Sequence, residues 1–275
     1  MTFLTTCRIT RAVTVVLGAT SVLLLARPAA AQSLSLAPAE IIADVTPGQP
    51  VHVEFTVSNS SNAPVAIRST VTDLWYNEKN EKTFEPAGSS PRSAANWIQF
   101  VPRLVTIEPH SSTKVTAFVT PPAGIEGGYY AVVFVESKPE LMNQPTADAQ
   151  PVLANIRLGA LVLLTATGTE RDDLELTNIR LTPPAAAQPL QLKLTAGNKG
   201  NTHVFPKATL AILDADRRVI AKAQSEPKRF LPGQTDDIAI TWGGTLPPGS
   251  YEGVVTVVYG NKQVRTQTVP FTVAQ

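Results

Sequence analysis

Two stretches of this chain carry nearly the same signals in the same order. The first contains Val57-Ser-Asn59-Ser-Ser-Asn-Ala-Pro64, then Ile107-Glu-Pro109-His, then Glu126-Gly-Gly-Tyr129-Tyr-Ala-Val-Val-Phe-Val-Glu136. The second contains Ala196-Gly-Asn198-Lys-Gly-Asn-Thr-His203, then Phe230-Leu-Pro232-Gly, then Pro248-Gly-Ser-Tyr251-Glu-Gly-Val-Val-Thr-Val-Val258. Each set is a polar Asn turn after a strand, a Pro-led turn before a strand, and a Gly-x-Tyr turn into an apolar strand. A repeat of this length predicts two similar domains in tandem. Apolar residues recur at every second position, and Gly, Pro, Asn and Asp punctuate them, so both domains are expected to be all-β. No segment sustains a helical period.

The N-terminus reads as an export signal. Arg8 and Arg11 precede an uncharged apolar run from Ala12 to Leu25, and Ala29-Ala30-Ala31 supplies small residues for cleavage. The run is shorter than the ~20 residues that a spanning helix needs. The reading is therefore a signal peptide over 1–31 and a mature chain starting at Gln32, with no transmembrane segment and a periplasmic or secreted destination. The C-terminal Val269-Pro-Phe-Thr-Val273 reads as a last strand, with no anchor after it. The only cysteine, Cys7, lies in the leader, so the mature chain has no disulfide and must rely on packing.

The formal charge of +1 changes on cleavage. Arg8, Arg11 and Arg27 leave with the leader and no acidic residue does, so 23 basic and 22 acidic residues become a formal charge of −2. No basic block exists, and nucleic acid is not an expected partner.

Strand signals place a first domain over 32–168 and a second over 169–275. In the first, Leu34 to Ile42 opens the fold and is interrupted by Pro38. Val51, Val53, Phe55 and Val57 alternate on one face of a half-buried strand. Asn77 to Arg92 is a polar loop or short hairpin. Ser137 to Pro151 carries Pro139, Pro145 and Pro151 without a period, so it is expected to be exposed and mobile. Glu170-Arg-Asp-Asp173 is the linker. About seven short strands follow, the count of an immunoglobulin-like sandwich.

Catalytic chemistry is absent from the pattern. His52, His110 and His203 are scattered and read as three exposed histidines. No serine sits in a Gly-x-Ser-x-Gly elbow. No His or Cys spacing suits zinc, and the acidic pairs Asp172-Asp173, Asp236-Asp237 and Asp214 with Asp216 match no calcium loop. No Gly-rich phosphate cradle precedes a helix. The expectation is a non-enzyme without metal or cofactor. Among the aromatic residues, Trp97 and Trp242 lie in alternating strands and read as core anchors. Trp75 and Tyr76 adjoin a polar loop and, with Tyr130, are candidate contacts for a cell-wall polysaccharide.

The strand from Asn155 to Thr165 is the main candidate for partner binding. Its first half alternates and its second half, Leu161 to Leu164, is apolar on both faces, which predicts cover by the second domain. An alternating edge beside a long loop is a template for an added strand. Val152, Ala154, Ile156 and Leu158 are the candidate apolar contacts, with Arg157 at the rim. A plain terminal strand that closes the sandwich is the alternative.

The residues also carry a family resemblance. Asn59-Ser-Ser-Asn-Ala-Pro64, Ser93-Ala-Ala-Asn-Trp97-Ile and Pro102-Arg-Leu-Val-Thr-Ile-Glu-Pro109 resemble the first domain of periplasmic pilus chaperones. That resemblance implies two immunoglobulin-like domains and donation of an edge strand to an exported subunit. Gly128-Tyr-Tyr130, Ile156 to Gly168 and Leu246-Pro-Pro-Gly-Ser-Tyr251 give a two-domain layout similar to that of WxL-interacting cell-surface proteins, which implies peptidoglycan or a surface protein as partner. The pilus chaperones hold a subunit carboxylate with a basic pair. Here Leu36 to Ile42 has no basic residue and Leu163 falls at the family's lysine position, so that anchor lacks its usual residues.

Overall fold

The computed structural model describes residues 33–141, 153–185 and 188–274. They form two β-sandwiches in tandem. In the first, one sheet has the order β1 (Leu34–Ala37), β3 (Val51–Asn59), β8 (Ser111–Val119), β6 (Ile98–Val101). The facing sheet runs β2 (Glu40–Val45), β12 (Arg157–Ala166), β9 (Gly127–Ser137), β4 (Val65–Tyr76). Both β5 (Lys82–Glu85) and β7 (Leu104–Ile107) pair with the far edge of β4. A short ladder of β10 (Glu140–Leu141) and β11 (Leu153–Ala154) extends the β9–β12 hairpin.

The opening apolar run is not one strand. Pro38 has no N–H to donate, and the chain changes sheets there. Leu34 to Ala37 pairs antiparallel with β3, whereas Glu40 to Val45 pairs parallel with the second half of β12. The period-2 pattern then does what it predicts. Phe55 and Val57 from β3, Val115, Ala117 and Val119 from β8, and Ala131, Val133 and Val135 from β9 point inward and are buried. Each such large side chain contributes ~1.5–3 kcal/mol by leaving water. The polar stretch after Tyr76 is a hairpin, in which β5 pairs Phe84 with Leu74. Asp73, fully buried in β4, ties down the next loop by accepting from the Ser90 amide at 2.7 Å and from the Ser93 hydroxyl.

The second sandwich has sheets β13 (Leu174–Thr182), β14 (Leu190–Asn198), β17 (Thr235–Trp242) and β16 (Val219–Gln224), β15 (Lys207–Leu213), β18 (Gly249–Tyr259), β19 (Gln263–Val273). Its core holds Leu192, Leu194, Leu210, Ile212, Phe230, Ile240, Val255 and Val257. The expected core anchors Trp97 and Trp242 are partly buried and pack against the first and second cores respectively.

The domains meet through an apolar seam. Leu163 is fully buried and shares a cluster with Leu74, Tyr130, Val132 and Phe134 of its own domain and Leu231 of the other, with Phe205 alongside. Val162 and Leu164, on the opposite face of β12, lie in the first core. One segment therefore serves two cores, which explains why it is apolar on both faces. Polar contacts frame the seam. The Gly128 amide donates to Asn201 O at 2.8 Å, Asn80 Nδ2 donates to Thr235 O at 2.6 Å, and Arg229 pairs with Glu40. A Cβ on Gly127 would lie 2.3 Å from the Asn201 carbonyl oxygen, so the close approach of the domains requires glycine there. Among the described residues, no helix is long and apolar enough to cross a membrane.

Candidate partner-binding edge

Strand β12 is paired along its whole length on one side only. Against β9 the register runs from Arg157 with Glu136 to Ala166 with Gly127. Against β2 it begins at Leu161, whose amide donates to Ala39 O at 2.9 Å. Arg157 to Ala160 therefore has no hydrogen-bonded strand on its β2 side among the described residues. The hydrogen-bond parity identifies the free groups. The Ser137 amide donates to Ile156 O, so the even residues face β9. Leu161 N–H faces β2, so the odd residues face the open side. The N–H and C=O groups of Arg157 and Gly159 are thus left for water or for an added strand.

A second unpaired edge lies across the sandwich. β1 pairs only with β3, leaving its other side open. Half-buried Leu34 and Leu36 on β1, and half-buried Ile156 just before β12 with Leu158 on it, are the apolar lips of this opening. Sequence periodicity pointed to the alternating residues at the β12 side. It missed β1, because a single apolar run does not reveal which sheet each half joins.

Ala154, Ile156 and Leu158 are half-buried and alternate with exposed Asn155, Arg157 and Gly159. Val152 lies outside the described residues, as does the loop over 142–151. The Ile156 amide donates to Ser137 Oγ at 2.9 Å, which fixes the start of the strand. Arg157 projects from the outer face. Its Nε lies 2.6 Å from Glu136 Oε1, and its guanidinium stacks 3.7 Å from the centre of the Phe134 ring. Phe134 also meets Phe84 edge-on at 5.4 Å and covers Gly159, where a Cβ would lie 2.9 Å from the ring. Arg157 is therefore neutralised and held, a rim group with its charge already partnered.

The aromatic trio is placed otherwise than expected. Tyr130 is fully buried in the seam between the domains, so it cannot contact a polysaccharide. Its ring centre is 6.2 Å from Trp75 and 5.8 Å from His203. Its hydroxyl lies beside the His203 backbone and the Thr202 side chain without hydrogen-bond geometry, and burial pushes the phenol well above its ordinary pKa. Trp75 and Tyr76 are half-buried against the same cluster and line a cleft with Leu231, Pro232 and Gln234 of the second domain. The apolar need of the seam outweighed the polar loop beside them in sequence.

The histidines divide as well. His52 is exposed on the outer face, and His110 hydrogen-bonds Asn62 Oδ1 at 2.8 Å. His203, expected to be exposed, is instead buried between Tyr130 and Phe205, with no partner for Nδ1. Burial and then the nearby Arg229 charge push its pKa down to about 4. The acidic pairs are engaged internally. Asp172 accepts from the Asn261 amide, Asp173 faces Arg265, Asp214 caps its own turn, and Asp236 and Asp237 pair with Lys228 and Lys193. Among the described residues, no three His, Cys, Asp or Glu side chains converge as a metal cluster.

The ion pair of Glu40 with Arg229 was not legible. Glu40 opens β2 and holds a second-domain arginine, so this ion pair links the protein's two domains.

No protein-family model and no curated protein matches the chain. Among solved structures it is similar to fimbrial periplasmic chaperones. A chaperone–tip adhesin complex of CFA/I fimbriae gives a TM-score of 0.47 at 13% identity, covering 87% of this chain and 100% of that one. The class 5 fimbriae chaperone CfaA gives 0.46 at 12%, covering 88% and 100%. The Salmonella enterica SafB chaperone with its SafA pilin gives 0.42 at 13%, covering 88% and 96%. The likeness is one of fold: two immunoglobulin-like sandwiches in tandem.

Proposed function

We propose that this is an exported, non-catalytic binding protein that takes up an extended segment of an exported or surface protein subunit, in the manner of an assembly chaperone. The observation that carries the reading is the half-open edge of β12. Free backbone groups on Arg157 and Gly159 lie beside half-buried Ile156 and Leu158, opposite the second unpaired edge, β1. Backbone pairing supplies affinity in such an addition, and alternate apolar side chains supply selectivity. Its compartment is the periplasm or the exterior, reached through the leader.

A photoreactive side chain at Leu158 is expected to crosslink an exported protein in envelope extracts, whereas one at Thr116, on the outer face of the opposite sheet, is expected to stay silent. Ile156→Asp should abolish the adduct and Arg157→Ala should reduce it less. Ile156 precedes β12 and is only half-buried, so circular dichroism should remain that of the parent. Equal adducts from both positions, or a folded Ile156→Asp protein that crosslinks normally, would overturn the reading. Retention on insoluble cell wall without any protein adduct would do the same.

A further inference from the structure

The second domain has an open edge of its own, and its free groups are arranged with internal symmetry. β19 pairs with β18 from Gln263 with Tyr259 to Val273 with Gly249, and nothing among the described residues pairs with its other side. Gln263 to Thr268 are all exposed. Proline lacks an N–H, so Pro270 fits this ladder where its nitrogen faces away from β18. By the two-residue alternation, Val264, Thr266 and Thr268 then also turn their N–H and C=O groups outward. The other parity agrees. The Val269 carbonyl oxygen lies 3.5 Å from the Cβ position of Gly253 on β18, so Val269 faces β18.

The free window is bounded by the hairpin tip, Gly260-Asn261-Lys262, and by Pro270. Its three residues with outward groups are centred on Thr266. A strand that runs antiparallel with the same sequence satisfies all of them. Thr266 exchanges both hydrogen bonds with Thr266 of the second copy, and Val264 exchanges both with Thr268 in each direction. The side chains are equally compatible. Thr opposite Thr and Val opposite Thr are favourable cross-strand pairs. Arg265 falls opposite Gln267, so no like charges meet.

Most other edges carry charges that deter such pairing: Glu40 and Asp44 on β2, Lys82 and Glu85 on β5, Glu175 and Arg180 on β13, Lys222 on β16, and Asp236 and Asp237 on β17, whereas the uncharged edges β1, β6 and β7 are only 4 residues long. Along Val264 to Pro270, Arg265 is the single charge, and it is engaged with Asp173 at 3.3 Å. We infer that β19 is a self-association edge, through which two copies of this chain pair antiparallel about Thr266 and join their four-stranded sheets into one. This is independent of the edge at β12, which remains open in the pair.

The test is sedimentation velocity of the purified full chain over a wide concentration series. A reversible dimer is expected. Thr266→Pro removes the central outward N–H without touching the β18 ladder and should leave a folded monomer, whereas Thr266→Val should dimerise as the parent does. The charge pair is the second arm. Gln267→Glu places a carboxylate opposite Arg265 twice per dimer and should tighten association several-fold, and Gln267→Arg should weaken it by a similar factor. A parent that sediments as a monomer throughout would overturn the inference. So would a dimer indifferent to both the proline and the charge substitutions, since its contact would then lie elsewhere.

Discussion

Asn59 and Asn198 stand at equivalent places in the two domains, and each closes its own sandwich, yet only the second also builds the junction. Asn59 Nδ2 donates to Ala63 O at 2.8 Å and to Ile107 O at 3.0 Å, while its Oδ1 accepts from the Ser61 amide and hydroxyl. Asn198 Nδ2 donates to Thr202 O at 2.8 Å and to Phe230 O at 3.1 Å, and its Oδ1 accepts from the Gly200 amide. In both domains one carboxamide joins the Asn turn to the start of the Pro-led turn. The difference lies in what surrounds the turn. The Asn59 turn faces solvent through Ser60 and Asn62. The Asn198 turn presents Asn201, Thr202 and His203 to the first domain, where the Asn201 carbonyl accepts from the Gly128 amide, while the Asn201 side chain bonds Thr169 and Arg171 in the connection between the domains. A duplicated element keeps its internal bonding, and its role is then set by what docks on it.

Substitutions can break this contrast. The largest effect is expected at the apolar seam. Leu163→Lys puts an unpaired cation between the domains and should lower unfolding stability by about 4 kcal/mol. An unchanged urea midpoint would show that Leu163 is not covered by the second domain.

Acid comes next and should act on the Asn198 side alone. The folded pKa of His203 is held at about 4, below the ordinary 6.5. The folded state thus disfavours the proton. Stability is intact above about pH 6.5, declines as pH falls, and its loss is complete below about pH 4, reaching about 3 kcal/mol. His203→Phe should flatten this limb of the melting temperature against pH. A parent-like slope in that variant would assign the acid sensitivity to other groups.

The two asparagines themselves should differ modestly. Both carbonyls that Asn198 serves lie in buried bonds, whereas water can reach two of the three acceptors of Asn59, at Ala63 and Glu108. Asn198→Ala is expected to cost about 3 kcal/mol and Asn59→Ala about 2 kcal/mol by urea unfolding. The reverse order would mean that the junction contributes nothing to the second turn. Smallest is Arg229→Met, at about 1 kcal/mol, because Glu40 stays partly hydrated when its partner is removed. A double-mutant cycle with Glu40→Gln measures that coupling directly.

The repeat was legible because its marks are local. Asn, Pro and Gly sit where a turn requires them, and alternation along Val51 to Val57 states which face is buried. The burial of Leu161 to Leu164 on both faces was legible for the same reason. What covers them was not, since Leu231 and Phe205 are ordinary core-type residues in their own segment. Glu40 and Arg229 lie 189 residues apart, and neither neighbourhood names the other. The division of Leu34 to Val45 between two sheets was equally hidden. Period two fixes a face but not a neighbour, and the open half of β12 exists only because of that division.

That division has a consequence for measurement of length. β2 ends its pairing at Glu40, and it does not slide, because Ile41 and Ala43 pack on the first core and Arg229 grips Glu40. A guest strand added to β12 would meet this fixed end as a ruler meets its stop. It would have the span from Arg157 to Ala160, and beyond that it would have to leave the ladder or displace β2. Its slippage is confined to two-residue steps, since a one-residue shift reverses every side chain. If β12 takes up a strand as proposed, the edge would sort guests by how many residues separate their apolar positions from the point where they turn away, a property of spacing rather than of any single contact.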